Sequence, residues 1–313
     1  MDAAPRRAPQ TLSILQHDRH PSLVYAARLS QWRRHTTAPK SVGSAAYRVG
    51  VDRMTASTDT ALTRHGPVRV SAVTAMFWVI KGLSTAMGES TSDYLVHVMA
   101  PELAVVLGFI GFVAALALQF RAGRYTPWTY WLTVVMVGIF GTMGADVLHV
   151  GFGVPYSVST ILYAAALAPV FVVWKRTETT LSVHSVDTPR REAFYWATVV
   201  ATFAMGTALG DFTAYTLHLG YLPSAALFAA AICIPAIGYR WLRWNPVLSF
   251  WVAYVITRPL GASIADGLGK AKTDSGIGLG QGHVVLVFGA LIITLVAYVA
   301  ITDSNRAASK NTR

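Results

Sequence analysis

Eight stretches of this chain are apolar for long enough to cross the roughly 30 Å hydrocarbon core of a bilayer. They fall at about 70–93, 101–120, 128–149, 155–174, 193–215, 222–240, 247–266 and 283–302, and the breaks between them are polar. Pro101, Pro155 and Pro223 open three of the even-numbered runs, at first-turn positions where a missing N–H does no harm. The pattern predicts an all-α, polytopic integral membrane protein with eight transmembrane helices.

The odd-numbered runs carry a second pattern. An aromatic residue precedes a Trp, a Gly follows ten residues after that Trp, and an Asp follows fifteen after it. The copies are Phe77-Trp78 with Gly88 and Asp93, Tyr130-Trp131 with Gly141 and Asp146, Tyr195-Trp196 with Gly206 and Asp211, and Phe250-Trp251 with Gly261 and Asp266. Each repeat, at about 70–120, 121–175, 190–242 and 243–303, is one odd and one even run. It reads as a helical hairpin, and all four hairpins have the same topology. Parallel repeats of this kind are related by an axis along the membrane normal. The natural packing puts the odd helices around that axis and the even helices outside.

Lys and Arg set the orientation. Arg121, Arg124, Lys175, Arg176, Arg190, Arg191, Arg240, Arg243, Arg306, Lys310 and Arg313 all fall on the side of the N-terminal tail, whereas the opposite loops near 94–100, 150–154 and 216–222 hold no Lys or Arg. Only the 267–282 loop departs from the rule, with Lys270 and Lys272 offset by Asp266 and Asp274. Both termini are therefore expected in the cytoplasm, with the protein in a bacterial inner membrane.

Composition agrees. Apolar residues make up 53% of the 313, charged residues 13%, and mean hydropathy is +0.44, values of a membrane protein rather than a soluble one. The net charge of +11 is unevenly spread: residues 1–70 hold eleven Lys/Arg against four Asp. The tail, 1–69, reads as a disordered cytoplasmic arm or one that binds anionic lipid. Met54 followed by an ordinary lead-in makes residues 1–53 a candidate gene-model extension. No nucleic-acid module accompanies the arginines, and no signal peptide is read. A second short tail is expected at 304–313. Cys233 is the only cysteine, so no thiolate metal cluster forms and the residue reads as a small hydrophobe.

The aromatic-Trp contexts of Trp78, Trp131, Trp196 and Trp251 resemble the four-copy, two-span bacterial membrane repeat known as domain of unknown function 347. The resemblance covers about residues 70–303. It implies the architecture and carries no activity with it.

The motif residues suggest roles. The Trp rings are expected to anchor the helices at the interface, and the glycines to let helices pack closely. Fifteen residues put each Asp about 22 Å from its Trp, toward the outer face. If the odd helices surround an axis, Asp93, Asp146, Asp211 and Asp266 converge into a site that needs protons or a cation. The plain alternative is four helix-end residues facing water. Glu89 lies on the face of Asp93, and Ser90, Thr91 and Ser92 add oxygens. Lys81 and Arg258 sit near mid-span and are expected to pair with acids or line a wet cavity. Pro259 after Arg258 suggests a kink or break. His97, His149, His218 and His283 mark the outer edge, and with the acids they offer a divalent metal site or proton relay, although interfacial His is common.

These features point to a secondary transporter for a cation or cationic solute, coupled to protons, with the lipid bilayer and that solute as partners. No enzyme motif, resident cofactor or nucleotide-binding loop is read. The alternatives are a structural or sensory membrane protein whose acids bind ions to set packing, and, further off, a membrane-embedded redox enzyme.

Overall fold

A computed structural model describes residues 66–311; the expectations for residues 1–65 lie outside it. Among the described residues all regular structure is helical. Eight long helices follow one another: α1 Ala75–Val98, α2 Pro101–Ala122, α3 Pro127–Asp146, α4 Tyr156–Glu178, α5 Pro189–Asp211, α6 Tyr221–Arg240, α7 Pro246–Gly269 and α8 Gln281–Asn311. Their starts carry ordinary signals. Proline occupies the first turn of α2, α3, α5 and α7, and the side chains of Thr74, Thr188 and Asn245 cap α1, α5 and α7 by accepting from backbone N–H groups.

Seven of the eight are long and apolar enough to cross a membrane. The exception is α1, whose sequence is interrupted by Lys81, Glu89 and the polar run Ser90-Thr91-Ser92. The C-terminal helix α8 runs well past residue 303, where the sequence suggested a tail.

The odd helices close a ring: α1 packs on α3 and α7, and α5 packs on the same two. The even helices lie outside, but not where the hairpin reading places them. Helix α2 packs chiefly on α3, α4 on α5, α6 on α7 and α8 on α1. The two helices of one sequence repeat touch much less. Each even helix thus seats on the odd helix of the following repeat, and α8 returns to α1 to close the ring. The outer helices expose apolar side chains: only 17–33% of the apolar window of α2, α4, α6 and α8 is buried, against 50–61% for α3, α5 and α7.

The tryptophans build the core at one end of the ring. Phe77 packs on Trp131 at 5.7 Å between ring centroids, Tyr130 on Trp196 at 5.6 Å, Tyr195 on Trp251 at 6.2 Å, and Phe250 on Trp78 at 5.6 Å. The aromatic residue of each motif therefore covers the Trp of the next helix, four times around. Trp131 and Trp196 are 2% exposed. Trp131, Trp196 and Trp251 are covered by aromatic faces and edges from adjacent helices, whereas Trp78 stays partly exposed. The four aspartates mark the other end, so the odd helices are parallel.

The segment before α1 is part of this fold. Val70 is buried, and Arg69 N–H donates to the carbonyl of Val186. The Arg69 guanidinium pairs with Glu192 at 2.8 Å, while Gln119 donates to the other Glu192 oxygen at 2.8 Å. Thr129 donates to Gln119 in turn. This network ties the tryptophan end of α2, α3 and α5 to the incoming chain.

Candidate functional site

The motif glycines explain how the ring can be narrow. A Cβ on Gly88 would lie 2.8 Å from the backbone of Gly138, one on Gly141 2.8 Å from Phe203 Cβ, one on Gly206 2.6 Å from Arg258 Cβ, and one on Gly261 2.7 Å from Thr85 Cβ. No real Cβ fits at such distances. The four facing residues, Thr85, Gly138, Phe203 and Arg258, all stand seven residues after their motif Trp. The contact is one pseudo-fourfold interaction repeated around the axis, and what differs is the side chain presented.

One of those side chains is Arg258, fully buried in the ring. Its Nη2 donates to Glu89 Oε2 at 2.6 Å, to the Thr207 hydroxyl at 2.5 Å and to the Thr142 hydroxyl, while Nη1 donates to the Thr85 carbonyl at 3.2 Å. Thr142 donates to the same Glu89 oxygen at 3.1 Å. Glu89, Thr142 and Thr207 all stand eleven residues after a motif Trp. Four helices thus meet in one polar layer held by an Arg–Glu pair. Helix α7 continues through Pro259, so no break occurs there. The space for Arg258 comes from Gly206.

Lys81 lies elsewhere than expected. It is 1% exposed, but its Nζ has no acid and no hydrogen-bond partner among the described residues. It sits 4.2 Å from the centroid of Phe203 and 4.5 Å from that of Tyr254, a cation–π cage. Arg258 shares the Phe203 ring at 5.0 Å, so the two cations flank one aromatic side chain.

At the far end the four aspartates gather. Lys270, just beyond α7, reaches Asp266 Oδ2 at 3.2 Å and Asp93 Oδ2 at 3.4 Å. Gln281, at the start of α8, donates to Asp93 at 3.0 Å and to Asp266 at 3.5 Å. The Lys270 ammonium also lies 5.0 Å from the Tyr221 ring and 5.9 Å from Tyr215. Burial disfavours its charge, yet Asp266, Asp93 and Asp211 hold its pKa well above the ordinary lysine value of 10.5. The loop that broke the charge rule therefore supplies a counter-ion to two motif acids. Asp146 and Asp211 are near enough to act on each other electrostatically, but neither carboxylate forms a hydrogen bond or ion pair among the described residues.

Helices α3 and α5 each end in a π-helical turn, Val147–Gly151 and Phe212–Thr216, directly after their motif Asp. Such turns are concentrated at functional sites. Here they carry His149 and Tyr215 onto the Tyr156 ring: His149 stacks at 3.4 Å and Tyr215 at 5.8 Å. Tyr215 and Tyr221 are joined through their hydroxyls. An aromatic shelf thus borders the acids.

The histidines do not assemble with the acids. His97 Nδ1 is 2.6 Å from the Asp93 carbonyl, His149 Nδ1 is 2.7 Å from that of Val154, and His283 Nδ1 is 2.9 Å from that of Leu279. His218 terminates the α5 extension in a left-handed conformation, φ 54°. Among the described residues no group of three or more His, Cys, Asp or Glu is arranged to hold a metal ion, which corrects the expected metal site at His97, His149 and His218. The imidazoles engage local backbone carbonyls instead.

Lys270, Gln281, Tyr156, Tyr215 and Tyr221 were not singled out by the sequence pattern. For Lys270 one signal existed: it is one of two lysines on the wrong side of the charge rule, and the one that stands four residues after a motif Asp. Neither a curated protein nor a solved structure matches this chain. The family model for the Repeat of Unknown Function (DUF347) matches four times, at residues 76–125, 129–180, 194–243 and 249–305. With those tandem matches over most of its length, the chain belongs to the DUF347 repeat family.

Proposed function

We propose that this protein is a secondary transporter for a cation or cationic solute, coupled to protons, with all eight helices crossing a bacterial inner membrane and both termini in the cytoplasm. The observation that carries the reading is a charge imbalance inside the ring. From the Lys81 layer to the aspartate end stand five carboxylates, Glu89, Asp93, Asp146, Asp211 and Asp266, against three cations, Lys81, Arg258 and Lys270. Uncompensated charge in a low-dielectric interior is expensive, so two negative charges call for bound protons or a bound cation. Helix α1 supports an eight-span topology, because it packs between α3 and α7 and turns Lys81 and Glu89 into the ring. The Arg258–Glu89 layer ties all four odd helices together on the tryptophan side of the aspartates, which fits a transporter in one occluded state better than an open pore.

The test is flux in proteoliposomes, with protons, divalent metals and organic cations as the panel. Wild type is expected to move at least one of them down an imposed gradient. If the chain with Asp93, Asp146, Asp211 and Asp266 all changed to Asn reconstitutes with undiminished flux, the reading is wrong.

A further inference from the structure

We infer that the aspartate end binds a primary alkylammonium ion between Asp146 and Asp211, bordered by Tyr156 and Tyr215. The inference rests on the transport reading and specifies its substrate class.

The chain itself displays the chemistry on the opposite side of the same cup. The Lys270 side chain is an alkylammonium, and it is held by two motif carboxylates, Asp266 at 3.2 Å and Asp93 at 3.4 Å, with the rings of Tyr221 at 5.0 Å and Tyr215 at 5.9 Å. An ammonium offers three N–H donors, and an aromatic face adds cation–π attraction. The other half of the cup repeats these parts. Asp146 and Asp211 are the pseudo-fourfold counterparts of Asp93 and Asp266, at the same register of the adjacent helices α3 and α5, and the Asp211 charge acts on Asp146. Both act electrostatically on Tyr156, whose ring stacks on Tyr215.

One difference separates the halves. No side-chain cation among the described residues pairs with Asp146 or Asp211, although Asp211 is only 7% exposed. A buried carboxylate without a partner is the expensive arrangement of the two. Access is available, since Tyr215 is 41% exposed and Asp146, His149 and Tyr156 are each partly exposed. The aromatic border and the absence of a three-ligand metal cluster among the described residues favour an organic ammonium over a divalent metal.

The experiment is calorimetric titration of the full chain in lipid nanodiscs with n-propylammonium chloride, with sodium and magnesium chloride as controls. Saturable propylammonium binding that neither salt displaces is expected, and Asp211→Asn should weaken it roughly tenfold or more. Lys270→Met releases the other half and should raise the number of bound propylammonium ions, a gain that a misfolded variant cannot produce. Absence of saturable propylammonium heat in wild type overturns the inference, as does a Lys270→Met titration identical to wild type. Metal or proton flux without propylammonium binding overturns this inference and leaves the transport reading standing. Propylammonium binding without flux of any cation upholds the site and removes the transport reading.

Discussion

Changing Glu89 to Gln isolates the central polar layer. The substitution keeps the size and removes the charge, so Arg258 retains Thr142, Thr207 and the Thr85 carbonyl as neutral acceptors. It loses its only carboxylate, 2.6 Å from Nη2, at a site where the guanidinium is fully buried. Breaking a buried pair by neutralising one member typically costs about 3–5 kcal/mol, because the surviving charge is left uncompensated. That corresponds to roughly two to nearly four decades in the folding equilibrium. Arg258→Met should cost less than Glu89→Gln, since the carboxylate it strands keeps the Thr142 hydroxyl and is the easier group to neutralise with a proton. The double variant Glu89→Gln with Arg258→Met removes both charges, and losing both members of a buried pair costs less than stranding one of them. The assay is reversible unfolding in mixed micelles with denaturant, read as a double-mutant cycle on the four proteins. A coupling energy of about 2 kcal/mol or more, with the double variant at least as stable as Glu89→Gln, is expected. If both single variants unfold within about 0.5 kcal/mol of wild type, the pair is not an energetic unit and the argument built on its burial collapses.

Alanine at Gly88 would drive a Cβ to 2.8 Å from the Gly138 backbone, so the α1–α3 contact must open at a cost of about 1–3 kcal/mol. Alanine at Gly144, where nothing lies within 4 Å, should be within about 0.5 kcal/mol of wild type, and equal melting temperatures for the two variants would refute the close-approach account. Trp196→Ala empties a 2% exposed position in the aromatic layer and should cost about 3–5 kcal/mol. Trp241, 69% exposed, is the control: denaturant midpoints should separate these variants widely. Lys270 has a raised pKa, so the stability from its charge is complete below the ordinary value of 10.5 and is lost only as pH climbs through the raised folded value. Wild type should therefore keep its full stability advantage over Lys270→Met from about pH 8 to pH 10 in thermal melts, and an advantage already falling across that window would contradict the pairing.

The repeated features were legible because a fixed register on four helices admits few geometric solutions. Trp78, Trp131, Trp196 and Trp251 mark one end, the four motif Asp mark the other, and the glycines between them mark a close contact. What the repeat leaves open is which helices touch. It identifies α2 and α4 as alike, but not that each packs against the next repeat's odd helix, because each of them is joined to an odd helix on both sides and the period alone does not choose between the two. The aromatic cover of the Trp rings was hidden for a related reason. An indole gains from an interface in an isolated helix and from a neighbour's aromatic ring in an assembled one, and only ring closure decides between them. Lys81 was expected to find an acid or line a wet cavity because mid-membrane cations usually do; its cage comes from Phe203 and Tyr254 on two other helices, 122 and 173 residues away in sequence. The π turns that place His149 and Tyr215 leave no sequence pattern of their own.

Where the four repeats agree, they build the ring and set an aspartate at its far end; where they differ, they hold the central ion pair. The position seven after each Trp holds Thr85, Gly138, Phe203 and Arg258, and the position eleven after holds Glu89, Thr142, Thr207 and Ala262. Each set meets across one level of the ring, so a single large cation is matched by a glycine, and a single acid by two hydroxyls and an alanine. A ring of four identical arginines could not close at this diameter, and four identical glutamates would repel. Divergence of the repeats is thus what lets a narrow pseudo-symmetric ring hold a complete ion pair at its centre. The aspartates are the one ionisable position kept in all four copies. Their chemistry is divided instead by what surrounds them: Lys270 and Gln281 on the side of α1 and α7, and two π turns with a tyrosine stack on the side of α3 and α5. A cup of like charges becomes a neutralised half and an open half, and the open half is where the cation we propose has reason to bind.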